Sequence, residues 1–86
     1  MIRIGAKTRL NPEVVVRQAA KFFGPGGHGL KVASESPGYV CFEGGGGGVE
    51  VIASGEAKGA SVELVSRELV SREWDYQARE FLSNIS

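Results

Sequence analysis

Polar and apolar residues alternate from the start of the chain. Ile2, Ile4 and Ala6 share one parity, and Arg3, Lys7 and Arg9 take the other. A period of two belongs to a strand with one dry face and one wet face, and it predicts a strand over residues 1–9. The period then changes. Val15, Val16, Ala19, Ala20, Phe22 and Phe23 fall on one broad helical face, with Glu13, Arg17, Gln18 and Lys21 opposite. Asn11-Pro12-Glu13 marks the helix start: Asn caps, Pro suits a first turn whose N–H groups lack partners, and Glu favours the positive end. Gly24-Pro25 marks the stop, with glycine expected in a left-handed conformation and proline barring continuation.

From Gly29 to Ala53 short apolar runs alternate with turn residues. Leu30–Ser34, Tyr39–Glu43 and Val49–Ile52 read as strands, with Ser36-Pro37-Gly38 as a tight turn and Gly44–Gly48 as a five-residue connection. Connections this short leave no room for parallel crossovers, so an antiparallel meander is expected. Farther on, Val70, Trp74, Ala78, Phe81 and Ile85, with Leu82 beside them, form a helical apolar stripe.

Between these lies a repeated segment, Glu63-Leu64-Val65-Ser66-Arg67 followed by Glu68-Leu69-Val70-Ser71-Arg72. Five residues is an odd number, so a strand would throw the two leucines onto opposite faces, and a helix would set the copies roughly 140° apart. Neither geometry makes the copies equivalent. The alternation of Ser61-Val62-Glu63-Leu64 favours a strand over 60–66 and a helix over 68–84; the competing reading is one helix over 61–84.

Together these elements predict a single α+β domain spanning residues 1–86. Its two layers would be an antiparallel sheet of four to five strands and two helices packed on one face, in the order β-α-β-β-β-(β)-α. With 42% hydrophobic residues in an 86-residue chain, one compact core is expected, burying a little over 60% of the extended surface. One cysteine excludes a disulfide scaffold, and the lack of a long apolar run excludes a helical membrane span. No basic segment followed by an apolar one opens the chain, so the cytoplasm is the expected location.

Zero net charge hides an asymmetry. Residues 1–31 carry six cations against one carboxylate, a net +5, and residues 32–86 carry the balancing −5. The simplest expectation is that the halves lie side by side and cancel. The sharper one is an anionic partner, RNA included, held by Arg3, Lys7 and Arg9. An overall pI near 6.6 argues against nucleic acid.

Gly24-Pro25-Gly26-Gly27-His28-Gly29 spells G-x-G-x-x-G, but a helix precedes it and a strand follows, the reverse of what a dinucleotide site needs. The run Gly44, Gly45, Gly46, Gly47 and Gly48 lacks the Lys-Ser or Lys-Thr of a phosphate loop. It reads as a hairpin tip, or as a gate closing over a ligand. His28 and Cys41 alone make no metal site, and no cofactor is indicated. Glu43 and Glu50 flank the glycines and would be a paired acid if the hairpin sets them face to face.

The order of elements resembles that of the helix-grip proteins, the START and pollen-allergen-like group. That resemblance, one of element order alone, implies an apolar pocket under a C-terminal helix wrapped by the sheet. Three functions then compete. A non-catalytic module would hold a small apolar ligand or peptide between sheet and helix, using Phe22, Phe23, Phe42, Trp74, Tyr76 and Phe81. A self-associating or protein-binding module would pair exposed sheet edges or opposite charges. An enzyme would have to use Glu43, Glu50 or His28. The residues favour a binding or interaction module over an enzyme.

Overall fold

A computed structural model describes residues 2–44, 47–67 and 73–85, with side chains described from residue 3 in the first segment and from residue 76 in the last. The elements in chain order are β1 (Ile2–Thr8), α1 (Pro12–Phe23), β2 (Lys31–Ser36), β3 (Tyr39–Gly44), β4 (Gly47–Glu56), β5 (Gly59–Arg67) and α2 (Glu73–Ile85). The Asn11 side chain accepts the Val14 N–H at 3.0 Å, and Pro12 opens α1. At the other end the expectation is corrected. Gly24 has φ −72°, so it is not left-handed; glycine is needed there because a Cβ would collide with the Ala20 carbonyl.

All strand pairings are antiparallel, in the order β1-β5-β4-β3-β2. The N-terminal strand therefore lies against the last one. Register fixes what each face carries. Ile4, Ala6 and Thr8 stand opposite Leu64, Val62 and Ala60, while Val51 stands opposite both Leu64 and Val40. Residues of this face meet Val15, Val16, Ala19 and Phe23 of α1 and Ala78, Phe81, Leu82 and Ile85 of α2 in one continuous core. α1 packs over β3 and β4, α2 packs over β1, and the helices touch each other. Both helices thus cover the same side of the sheet, leaving the other side open.

Three expectations are revised in detail. The five-residue connection is shorter than expected, because the β3–β4 ladder continues through Glu43↔Gly48 and Gly44↔Gly47. Gly44, Gly47 and Gly48 therefore belong to strands rather than to a loop or gate. Gly45 and Gly46, the other two residues of the expected gate, lie outside the described residues. β4 runs on past Ile52 to Glu56 because its partner β5 keeps pairing as far as Gly59. β5 itself rules out a single helix over 61–84: it pairs on both sides, and a central strand has both its rows of backbone groups satisfied by neighbours. The second copy of the repeat, residues 68–72, lies outside the described residues.

β2 forms one edge, and most of its side chains are exposed. Its register with β3 skips between Val32 and Ser34, a bulge of the kind that blunts a sheet edge against further pairing. Among the described residues no helix is long and apolar enough to cross a membrane.

Phe23 is fully buried, with its ring centroid 5.6 Å from that of Phe42 on the sheet and 5.4 Å from that of Phe81 on α2. Truncating it removes a contact with both. Phe23→Ala is expected to lower unfolding free energy by about 3–5 kcal/mol, a large share of what a small domain has. Urea denaturation followed by far-UV circular dichroism measures this; a loss below about 1 kcal/mol would mean that the ring is not the joint between helices and sheet.

Candidate functional site

The open face of the sheet carries a chain of polar contacts. Tyr39 Oη donates to Glu50 Oε1 at 2.6 Å, and the other Glu50 oxygen lies 3.4 Å from Arg67 Nε. Arg67 Nη2 in turn donates to Cys41 Sγ at 3.3 Å. The result is a polar strap across β3, β4 and β5. Gly48 makes it possible, since a Cβ there would sit 2.8 Å from the Phe42 carbonyl and 3.2 Å from Arg67 Nη2. Cys41 and Val65 are buried although this face is open. The Glu50 carboxylate beside the Tyr39 hydroxyl, with burial adding to it, pushes that hydroxyl well above the ordinary tyrosine range.

This strap spends Glu50 on structure. Register sets Glu50 opposite Cys41 and Glu43 opposite Gly48, so the two acids are offset along the hairpin rather than face to face. His28 is elsewhere. It lies exposed after α1, its ring centroid 4.6 Å from that of Phe22 on the helical layer, while the Cys41 thiol faces the opposite side of the sheet. Among the described residues no three His, Cys, Asp or Glu side chains gather as a metal site would require.

The G-x-G-x-x-G segment has a structural task. Its Gly24 amide donates to the Ala20 carbonyl, the His28 amide to Phe22, and the Leu30 amide that follows it to Phe23, each at 2.9–3.0 Å. These N–H groups close the orphan carbonyls of the α1 C-terminus, so they point at a helix end rather than at a phosphate.

The basic N-terminal segment meets its acids beside the β1–β5 ladder. Arg3 lies 3.8 Å from Glu63, and Lys7 lies 3.9 Å from Glu56. Both pairs are largely exposed and worth at most about 1 kcal/mol each, so they neutralise more than they stabilise. Of the three cations expected to take an anion, two are paired in this way and Arg9 forms no ion pair among the described residues.

The aromatic residues part company. Phe23, Phe42 and Phe81 are core, Tyr76 is 76% exposed on α2, and the Trp74 side chain lies outside the described residues. Phe22 is half-buried and, with Phe81, helps line a recess of about 320 Å³ between the second halves of α1 and α2. Leu10 and Ile85 complete its apolar floor, and the exposed residues Gln18, Lys21 and Asn84 form the rim. The helix-grip resemblance implies a pocket under the C-terminal helix; under α2 itself Ala78, Phe81, Leu82 and Ile85 belong to the packed core, and the recess lies between the two helices instead.

Thr8 shapes this place, and sequence reasoning overlooked it. Its hydroxyl donates to the Ile85 carbonyl and accepts the Leu10 N–H at 3.2 Å, tying two floor residues to β1. The signal was present: Thr8 is a polar residue on the dry parity of β1, and a buried hydroxyl needs a partner.

No protein-family model matches the chain, and neither the curated proteins nor the solved structures give a significant match.

Thr8→Val leaves the Ile85 carbonyl and the Leu10 amide without their shared partner and is expected to cost about 1–3 kcal/mol in chemical denaturation. Tyr39 holds its proton longer in the fold than in the unfolded chain, whose tyrosines titrate near 10, so stability contributed by this group falls as pH rises above that value. In ultraviolet titration one tyrosine should ionise later than the other, and Glu50→Gln should bring it back toward the ordinary range. Two superimposed tyrosine titrations would mean that the Tyr39–Glu50 bond does not persist in solution.

Proposed function

We propose that this protein is a non-catalytic binding module that holds a small ligand with an apolar body in the recess between α1 and α2. One observation carries the reading. Two half-buried and two buried apolar side chains, Leu10, Phe22, Phe81 and Ile85, floor a concave space rimmed by three exposed polar ones. Its volume of about 320 Å³ falls at the lower end of the roughly 300–1,000 Å³ range of small-molecule sites, which are mostly apolar with few polar groups. Of the groups considered for catalysis, Glu50 is held in the strap on the other side of the sheet, and His28 meets Phe22 edge-on without itself lining the recess.

Titrating the full chain with 1-decanol, followed by amide NMR, tests this. Saturable shifts are expected at Lys21, Phe22 and residues 81–85, with Cys41 and Val65 on the open face unmoved. Asn84→Trp, a change at an exposed rim position, should fill the recess and weaken binding by about tenfold or more, the effect of roughly 1.4 kcal/mol. Shifts that never saturate, or that centre on the open sheet face, would discard the recess as a site.

A further inference from the structure

The recess does not end at Ile85. Leu10, Asn84 and Ile85 also line a second, wider cavity of about 750 Å³, whose far wall includes Lys7, Arg9, Glu56 and Lys58. Those three shared residues set the two spaces side by side around the end of α2, and we take them together as one bent groove.

Charge in this groove is unbalanced. Among the described residues, Lys7, Arg9, Lys21 and Lys58 line it against the single carboxylate of Glu56. Glu56 is already taken by Lys7. Arg9, Lys21 and Lys58 form no ion pair among the described residues, so the groove holds a surplus of three positive charges in a chain whose formal net charge is zero. The negative end of α2 closes on the same place, and α2 has no basic residue of its own in its last turn. A helix end is equivalent to only about half a charge, so it offsets a minor part of the surplus.

Together these features have the shape of an amphiphile: an apolar floor at one end, with Lys21 at its rim, and Arg9 and Lys58 at the other. We infer that the groove binds a single-tailed organic anion, its tail over Leu10, Phe22, Phe81 and Ile85 and its carboxylate or phosphate head against Arg9 and Lys58. The inference rests on the recess being a ligand site and names the class of ligand it takes. A neutral tail of the same length would gain the apolar contacts alone. An anion adds charge-assisted hydrogen bonds, which are roughly twice as strong as neutral ones, though partly screened at this exposed rim.

The test compares decanoate with 1-decanol on the full chain by calorimetry and amide NMR, at neutral pH and low salt, below the concentration at which decanoate forms micelles. Decanoate should bind at least about tenfold more tightly than 1-decanol, a difference of roughly 1.4 kcal/mol that shrinks as salt is raised. Arg9→Gln combined with Lys58→Gln, both at exposed positions, should erase most of that preference while leaving 1-decanol affinity unchanged; Arg3→Gln, beside Glu63 and outside the groove, should change neither. Equal binding of the two probes would overturn the inference and keep the recess. A preference for decanoate that survives the double change would place the head elsewhere and overturn it too. If neither probe binds, the recess fails together with the inference. Co-sedimentation with phosphatidylglycerol vesicles without saturable binding of decanoate would assign the cations to a membrane surface, and would also overturn it.

Discussion

Phe23 is the side chain on which the two layers meet. It belongs to α1, yet its ring centroid lies 5.6 Å from that of Phe42 in the sheet and 5.4 Å from that of Phe81 in α2. Aromatic rings at such separations contribute contact energy beyond the area they bury. Everything about the helical layer follows from that junction. α1 is held at the height that lets Val15 and Ala19 join the core, and α2 is held close enough to α1 for Phe22 and Phe81 to share a wall. The recess is the remainder of this packing, opening where Gln18, Lys21 and Asn84, all exposed, leave the two helices uncovered.

The pairing of β1 with β5 organises the charge of the molecule in the same way. It lays the basic first strand beside Glu63 of β5, and positive charge there is neutralised by a short-range neighbour, as Arg3 is by Glu63. Arg9 escapes because it lies one residue beyond the ladder, where the chain turns toward α1. Lys58 escapes because it sits in the turn between β4 and β5. For these two cations, position at the end of a strand sets where positive charge stays uncompensated.

Local signals are the legible part of this sequence. Asn11-Pro12-Glu13 carries its own capping chemistry, and the alternation of Ile2, Ile4 and Ala6 needs only the pleat to be understood. The two-layer α+β arrangement follows from such signals. Gly24 reads correctly as a stop but for the wrong reason, because the clash that demands glycine is with a carbonyl four residues back. The glycine run looks like a loop since glycine has no pattern of its own; cross-strand pairing between β3 and β4, invisible along the chain, draws Gly44, Gly47 and Gly48 into the ladder. The recess is harder still. Phe22 and Phe81 stand among the expected ligand contacts, but Leu10 and Ile85 come from opposite ends of the chain, joined through the Thr8 hydroxyl.

The strand order has a temporal side as well. Of the described elements, β1 is made before all the others and β5 after every other strand, yet each is the other's neighbour in the sheet. Contacts between such distant segments form late and slow the folding of small domains. Until β5 is synthesised, the opening strand has no partner in the sheet, and α1 waits for the β3–β4 hairpin to give its apolar side a bed. The nascent chain therefore presents a greasy helix before it owns a surface to lay it on, a period in which premature association is the main hazard.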